Sequence, residues 1–338
     1  MRELATVQIV KEILPIPERD RIGLAIFEDI GWRIIVRKDQ VSPGDKMVVI
    51  ECDSIIPDKE TYKFLDKKLP RTLKTMKLSG VISQGLAIPV KDYEVEIPWI
   101  TGIPPKNNVT ELLEITKYEP PDQGTRGGNT VRTFPTHILP RTDETRVQSK
   151  PRLIQELRGK PYYITTKLDG ASYTSFWLEE NYHVCTHNNE IAWGENWWWK
   201  ASYNQEIEEK LKYHPDMALQ GEVNGPGIQN NRMKIDKYTV FGFQVWNIAK
   251  QRYLDYSDML YFFGDTKLPM VPVVEAGESF NYTMEELEKL AITGCELYPE
   301  IWKEGIVVRP QVETYSQTLQ DRLSMKVIST AYELEYGS

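Results

Sequence analysis

The sequence contains no apolar run approaching the roughly 18 residues that a membrane-spanning helix requires. Its start, MRELATVQIVKEILPIPERD, lacks the ordered charged, apolar and small-residue blocks of a secretory signal. Both absences argue against membrane-embedded and exported proteins. We therefore expect a cytoplasmic protein that has no membrane partner.

Cysteine is scarce, with three residues in a chain of 338. Cys52, Cys185 and Cys295 lie far apart and form no C-x-x-C pair. This spacing gives no support to zinc or thiol-redox chemistry. We interpret the three residues as buried free thiols.

Positive charge is in deficit, with 41 Lys and Arg against 49 Asp and Glu and a net charge of −8. A protein that coats nucleic acid through bulk electrostatics needs the opposite balance. Any contact with nucleic acid must therefore be local.

Length and composition are those of an ordinary globular protein, with 41% apolar and 27% charged residues. Because 338 residues exceed the usual size of one domain, two domains are expected.

Short segments rich in β-branched residues fill the first hundred positions and predict strands. They lie at residues 5–10, 22–27, 32–36 and 46–50. Closely spaced strands without a long helix between them favour an OB-like β-barrel over residues 1–100, the fold named for oligonucleotide and oligosaccharide binding. A small β-sandwich is the alternative.

Residues 101–131 mix Pro, Gly and Thr and predict an interdomain linker. Residues 132–338 combine short strands with interspersed helices, which indicates an α+β domain. Helices are predicted at 204–214 and 283–293. A further short helix, with Thr142 or Asp143 as its N-cap, is predicted to open this domain.

Lys167 stands in the segment TTKLDGAS, directly after a predicted strand and before a turn that Gly170 can accommodate. A lysine becomes a nucleophile only when burial or nearby cations lower its pKa from about 10.4. The K-x-D-G pattern alone is weak, and an exposed, salt-bridging lysine is the alternative interpretation.

Five later segments favour the nucleophile interpretation of Lys167, because they follow TTKLDGAS in a fixed order. They are CTHNNE, LQGEV, VFGFQVWN, EGIVVRP and LSMKVIS. Together with TTKLDGAS, their order and spacing resemble the motifs of the covalent nucleotidyltransferase superfamily, which contains polynucleotide ligases and RNA capping enzymes. The resemblance extends over about residues 140–330.

Within that superfamily the chain is most similar to the family-5 RNA ligases, which carry an OB domain before the catalytic domain. The segments VSPGDKMVVIECDSIIP and GVISQGLAIP also look like that leading domain. DNA ligases and capping enzymes usually carry the OB domain after the catalytic one, whereas twelve residues follow Lys326. The resemblance implies an OB-like barrel followed by an adenylyltransferase domain of antiparallel sheets with helices.

The implied activity is that of an ATP-dependent RNA ligase. Such an enzyme joins 3′-OH and 5′-phosphate ends through lysyl-AMP and an adenylylated 5′ end, and nick sealing in RNA repair is the expected role. The implied cofactors are ATP and Mg²⁺ or Mn²⁺, and the implied partner is RNA or a nicked RNA-containing duplex bound by a monomer. A DNA ligase, a capping enzyme, or an RNA-binding OB protein with a decayed ligase domain are the alternatives.

The resemblance assigns four catalytic residues. Lys167 would attack the α-phosphorus of ATP, and Asp169 would hold the loop and help organise metal or phosphate. Glu304 would bind the waters of a catalytic metal ion. Lys326 would touch the α-phosphate and stabilise the transition state.

It also assigns a nucleotide-binding set, in which Glu222 contacts the ribose and metal-bound water and Phe243 stacks on adenine. Glu222 and Glu304 together form the expected metal site, reached through water. For Phe241, two places before Phe243 in the sequence, core packing is preferred. The expected ATP- and AMP-binding residues are Thr165, Thr166, Lys167, Leu168, His187, Glu222, Phe243, Glu304 and Lys326. Arg146 and Gln148 are assigned to the RNA end.

The chain departs from the family pattern at two positions. His187 stands where many relatives place an arginine that contacts the nucleotide, and a neutral imidazole attracts phosphate less strongly. Ser324 stands where some relatives carry the first of two lysines spaced by one residue, and Arg322 is the candidate for the missing charge.

Overall fold

The computed structural model describes residues 3–65, 69–118 and 130–337. Contacts divide the chain into two compact units. The first comprises Met1–Pro120, Val147–Pro151 and Thr330–Ser338, and the second comprises Pro121–Arg146 and Arg152–Ser329. Among the residues described, none of the helices combines the length and apolar character that a membrane span needs.

The first unit consists mainly of strands, with one α-helix among its described residues. Its strands are β1 (Ala5–Ile16), β2 (Arg19–Phe27), β3 (Arg33–Arg37), β4 (Lys46–Ile50), β5 (Ser54–Ile56), β6 (Arg71–Thr72), β7 (Thr75–Leu78), β8 (Val81–Gln84), β9 (Leu86–Pro89) and β10 (Thr116–Lys117). Its helix, Thr330–Tyr336, closes the chain and is α6 in chain order. The strands predicted in the first fifty residues are confirmed as β1 to β4.

The main sheet of this unit has the order β3-β2-β1-β4-β9, and every neighbouring pair is antiparallel. Its core contains Val7 and Val48, which face each other in register. Val109, Leu113 and Ile115 are buried in the same core. Residues 101–118 of the predicted linker therefore pack into this unit, while 119–129 lie outside the described residues.

The second unit contains the remaining strands and helices. They are β11 (Thr130–Thr133), β12 (Thr145–Arg146), α1 (Arg152–Leu157), β13 (Tyr162–Lys167), β14 (Ala171–Leu178), β15 (Asn181–Cys185), β16 (Asn189–Ile191), α2 (Trp197–Asn204), α3 (Ile207–Leu211), β17 (Met217–Asn224), β18 (Thr239–Asn247), β19 (Arg252–Tyr253), α4 (Tyr256–Thr266), β20 (Val273–Gly277), α5 (Met284–Ala291), β21 (Gly305–Pro310), β22 (Tyr315–Ser316), β23 (Asp321–Arg322) and β24 (Met325–Ile328).

Two sheets form the body of this unit. The first has seven strands in the order β11-β16-β15-β14-β17-β18-β19, and the second has five in the order β12-β24-β21-β13-β20. All neighbours are antiparallel except β12 and β24, which are parallel. Sequence-distant segments thus become neighbours, since β13, β21 and β24 lie side by side.

The helix predictions have a mixed outcome. Helices α3 and α5 confirm the predictions at 204–214 and 283–293, and Thr283 caps α5 by accepting from the Glu286 amide. The helix predicted to begin at Thr142 or Asp143 is wrong. Residues 145–146 instead form β12, because β24 offers their backbone a sheet partner that local capping preference cannot reveal.

The three cysteines are all buried and free, as predicted.

Candidate functional site

A cleft between the two sheets of the second unit collects six of the nine predicted nucleotide-binding residues. Its lining comes from both sheets and from the segment before β12. The lining residues are Thr142, Glu144, Thr165, Thr166, Lys167, Leu168, Glu222, Phe243, Val271, Val307 and Arg309.

Lys167 is the last residue of β13, and its position follows from strand geometry. Alternate residues of a strand face the same side, so Thr165 and Lys167 both point to the cleft. Gly170 then turns the chain, and its amide donates to Glu222 Oε1 at 3.1 Å. A Cβ on Gly170 would lie 2.8 Å from Glu222 Cγ, so only glycine permits this approach.

Two carboxylates surround the Lys167 amine. Its Nζ donates to Glu304 Oε2 at 2.6 Å, and Glu222 lines the same cleft. Burial acts to lower the pKa of Lys167, but Glu304 and then Glu222 outweigh it and raise that pKa above its ordinary value. Burial likewise raises the pKa of Glu222, to about 8, against the opposing attraction of Lys167. Without a ligand, Lys167 is therefore an ammonium ion.

Asp169 holds the loop after Lys167. Its carboxylate pairs with Arg232 Nη1 at 2.6 Å, and its backbone carbonyl accepts from Asn224 Nδ2 at 2.8 Å. These contacts agree with the predicted loop-holding role.

A row of side chains across the five-stranded sheet places Lys326 beside the cleft. Lys326 is in register with Val307, which lines the cleft, and Val307 is in register with Thr165. On its other side, Lys326 is in register with Arg146 of the parallel strand β12. Two cationic residues thus sit on neighbouring strands at this edge, and the Arg146 side chain is buried.

The cation that contacts Ser324 is Arg309. Its Nε donates to Ser324 Oγ at 3.1 Å, and its Nη2 donates to Glu144 Oε1 at 2.6 Å. Arg322, the predicted substitute, instead donates to Gln244 and pairs with Glu313. The geometry therefore does not support Arg322 as the substitute for the lysine that some relatives carry at position 324.

Phe243 lies in the cleft because the register of β18 against β17 is irregular at this position. Gln220 is in register with Gln244 and Gly221 with Gly242, so Phe243 is the extra residue of a β-bulge. Bulges of this kind redirect a side chain. Phe241 does not line the cleft.

The two threonine hydroxyls of β13 differ in whether they have a hydrogen-bond partner. The buried Thr165 hydroxyl has no hydrogen-bond partner among the described residues, so it can bind a ligand. The neighbouring Thr166 hydroxyl donates to Glu296, which also pairs with the fully buried Lys303. This support of Thr166 comes from residues that the sequence did not single out.

His187 and Gln148 lie outside the cleft lining. His187 Nε2 lies 3.5 Å from Asp143 Oδ2, in the segment that leads into β12. Gln148 belongs to the first unit, where it is 1% exposed and its carbonyl accepts from the Gly31 amide.

Glu222 and Glu304 fit a divalent ion in their chemistry, because carboxylate oxygens are ligands that Mg²⁺ and Mn²⁺ prefer. In the described ranges, no group of three or more His, Cys, Asp or Glu side chains could hold a metal ion by itself. An ion at these two carboxylates would therefore keep water or substrate oxygens as further ligands.

Sequence reasoning missed Thr142, Glu144, Val271, Val307 and Arg309 in the cleft lining. Two of these had a usable signal. Val307 and Arg309 alternate in the EGIVVRP segment, so the strand period places both on one face.

Comparisons with known proteins identify the class of both units. Residues 160–328 match the family model described as RNA ligase, and residues 4–90 match the model of an OB-fold domain. Since the first match spans half of the sequence, the chain belongs to the RNA ligase family. The predicted fold class, an OB-fold domain followed by a sheet-rich ligase domain, is confirmed.

Solved structures of an RNA ligase from Naegleria gruberi are similar over the whole length. A variant of that ligase with AMP and Mn has 29% identity and a TM-score of 0.88, with 99% of each chain covered. A variant with ATP and Mn gives the same values. The ligase with PPi has 29% identity and a TM-score of 0.87, covering 100% of this chain and 99% of the other. No curated protein sequence matches the chain.

Proposed function

We propose that this chain is an ATP-dependent RNA ligase whose nucleophile is Lys167. The observation that carries the proposal is the Lys167 amine in the cleft, 2.6 Å from Glu304 and beside Glu222. Membership of the RNA ligase family and similarity to structures with ATP and Mn, and with AMP and Mn, support it.

In the first step the Lys167 amine attacks the α-phosphorus of ATP. A P–N bond forms, the bond to the bridging oxygen breaks, and pyrophosphate leaves. Lys167 must first lose the proton that the two carboxylates favour. Lys326, with Arg146 in register beside it, stabilises the charge that develops on the phosphate oxygens.

In the second step an oxygen of the RNA 5′-phosphate attacks the phosphorus of lysyl-AMP. The P–N bond breaks, Lys167 regains a proton, and a 5′-adenylylated RNA forms. In the third step the 3′-hydroxyl attacks the RNA 5′-phosphorus and AMP leaves. The product is a 3′–5′ phosphodiester, and a nick in an RNA-containing duplex is the proposed substrate.

The nucleotide is held by the cleft residues around Lys167. Phe243 supplies a ring face for adenine, and the unpartnered Thr165 hydroxyl supplies a hydrogen bond. Glu222 accepts from the ribose. Thr166 and Leu168 line the same cleft, and His187, which lies 3.5 Å from Asp143, is assigned to the nucleotide by the family resemblance alone.

Glu304 and Glu222 would hold a hydrated Mg²⁺ or Mn²⁺, which would neutralise their charge and weaken their hold on the Lys167 proton. Glu304 contacts the Lys167 amine directly, so it must release the amine before attack.

The proposal is tested by incubating the protein with each α-labelled NTP and a divalent metal, then measuring label retained after denaturation. Retention is expected with ATP. Lys167→Ala should abolish this retention while the circular dichroism spectrum stays that of wild type. Lys160→Ala, which removes an exposed lysine two residues before β13, is the matched control. Retention from GTP would indicate capping, and retention in Lys167→Ala would exclude this nucleophile.

A nick-sealing assay distinguishes an RNA ligase from the two remaining alternatives, a DNA ligase and a decayed enzyme that only binds RNA. Wild-type protein should join a 5′-phosphate to an RNA 3′-hydroxyl across a nick. Joining only when both strands are DNA would identify a DNA ligase, and RNA binding without label retention would indicate a decayed enzyme.

A further inference from the structure

A second cavity lies beside the cleft within the second unit. Its volume is about 370 Å³, in the range of sites that bind small organic molecules. Thr142 and Glu144 line both spaces, so the cavity and the cleft share a wall. We call this space the side cavity.

Several charged residues in the walls of the side cavity already have an ion-pair partner. Arg322 pairs with Glu313 and donates to Gln244 Oε1 at 2.5 Å. Arg252 pairs with Asp255 at 2.6 Å, and Glu144 pairs with Arg309. Such walls suit a neutral ligand with many hydrogen-bonding edges better than a bare anion.

Aromatic rings supply the other part of the lining. Trp246 and Tyr253 pack edge to face with centroids 4.9 Å apart, and the Arg322 guanidinium lies 3.8 Å from the Tyr253 ring centre. Tyr315, in register with Arg322, is 55% exposed and free to meet a flat ligand from solvent.

Polar groups at the edge match the other parts of a nucleotide. Arg141 is exposed and suits a backbone phosphate. The Asp143 carboxylate is 60% exposed and lies in the same wall. A carboxylate repels phosphate but accepts hydrogen bonds from ribose hydroxyls.

We infer that the side cavity binds one ribonucleotide of the RNA substrate, with its base at Tyr315 and its phosphate at Arg141. This inference rests on the proposed function, and it adds an RNA contact that lies within the catalytic unit. Because Thr142 and Glu144 line both spaces, the nucleotide is held next to the site of AMP transfer.

The test uses RNA that already carries the 5′-adenylyl group, so that the first step is bypassed. Tyr315→Ala should raise the KM for this RNA by about five-fold or more, the lower end of the effect of losing one stacked base. Arg141→Gln should also raise this KM, because the charge-assisted contact to the phosphate is lost. Tyr203→Ala removes a tyrosine that is 85% exposed on α2 and is the matched control. Its KM should equal that of wild type.

A second measurement locates the base. Adenylylated RNA with 4-thiouridine at single positions near the junction should crosslink on irradiation to peptides containing Tyr315 or Trp246. Unchanged KM in both variants, or crosslinks confined to other peptides, would overturn the inference. Label retention from ATP is measured in the same preparations. If wild-type protein retains no label, the proposed function is contradicted, and this result is distinct from a failure of the side-cavity inference.

Discussion

Arg309 donates from Nε to the Ser324 hydroxyl at 3.1 Å, and its guanidinium is 1% exposed. Glu144 balances its charge from the segment before β12. The contact gives a physical reason for a serine at position 324, since a lysine there would place a second cation against a buried one. The same guanidinium also reaches the Phe243 carbonyl at 3.4 Å, so it links β21 to β18 and to the segments that precede β24 and β12.

The first prediction concerns the contact between Arg309 and Ser324. Ser324→Lys should lower the free energy of unfolding by about 3 kcal/mol or more, because the new buried charge would lie beside Arg309 and share Glu144, the counterion that Arg309 already uses. Ser324→Ala loses one hydrogen bond and should cost about 1 kcal/mol. Urea unfolding measures both. Equal stability of wild type and Ser324→Lys would show that the site can rearrange to hold two cations.

The second prediction concerns Glu304. Glu304→Ala should reduce lysine adenylation more than Glu304→Asp, and added metal should not fully rescue the alanine form. A carboxylate that orients a hydrated ion acts through geometry as well as charge, so higher occupancy does not restore orientation. Label retention across a magnesium and manganese titration is the measurement. Full rescue of Glu304→Ala by metal would contradict the assignment.

The third prediction separates Lys326 from the metal site. Lys326→Ala should lose on the order of 3 kcal/mol of transition-state stabilisation, if it resembles the removal of one oxyanion donor. Because a fixed cation is lost, the defect should persist at every metal concentration. Restoration of Lys326→Ala by high magnesium, with Glu304→Asp left inactive, would mean that the two roles are reversed.

The fourth prediction follows from the pKa of Glu222, which burial raises from an ordinary 4.5 to about 8. The folded state therefore keeps a proton that the unfolded state loses. Between these two pH values this group makes stability fall as pH rises, and above the folded pKa its contribution is constant. Glu222→Gln should become more stable relative to wild type as pH increases from about 5 to 8.

Thermal unfolding of wild type and Glu222→Gln across that pH range tests this sign. Glu278→Gln, an exposed glutamate whose loss leaves the cleft intact, is the control. A free energy of unfolding that falls for Glu222→Gln relative to wild type as pH rises would mean that Lys167 outweighs burial at Glu222.

The sequence by itself determined the first four strands of the first unit, the order of the motifs and six of the residues that line the cleft. Lys167, Glu222, Glu304 and Phe243 could be selected because the order and spacing of six short motifs resemble one superfamily, whereas the K-x-D-G pattern alone was weak. Helices α3 and α5 were predictable from local sequence, and Thr283 and Glu286 form a capping box at the start of α5.

Only the tertiary structure decided which distant residues meet. Arg309 joins Glu144 and Ser324 because β21 and β24 pair in one sheet, and Lys303 supports Thr166 through Glu296. Thr142 looked like a helix cap locally, yet the parallel pairing of β12 with β24 makes the following residues a strand. Register across a sheet is set by contacts between segments far apart in the chain, and no local pattern contains it.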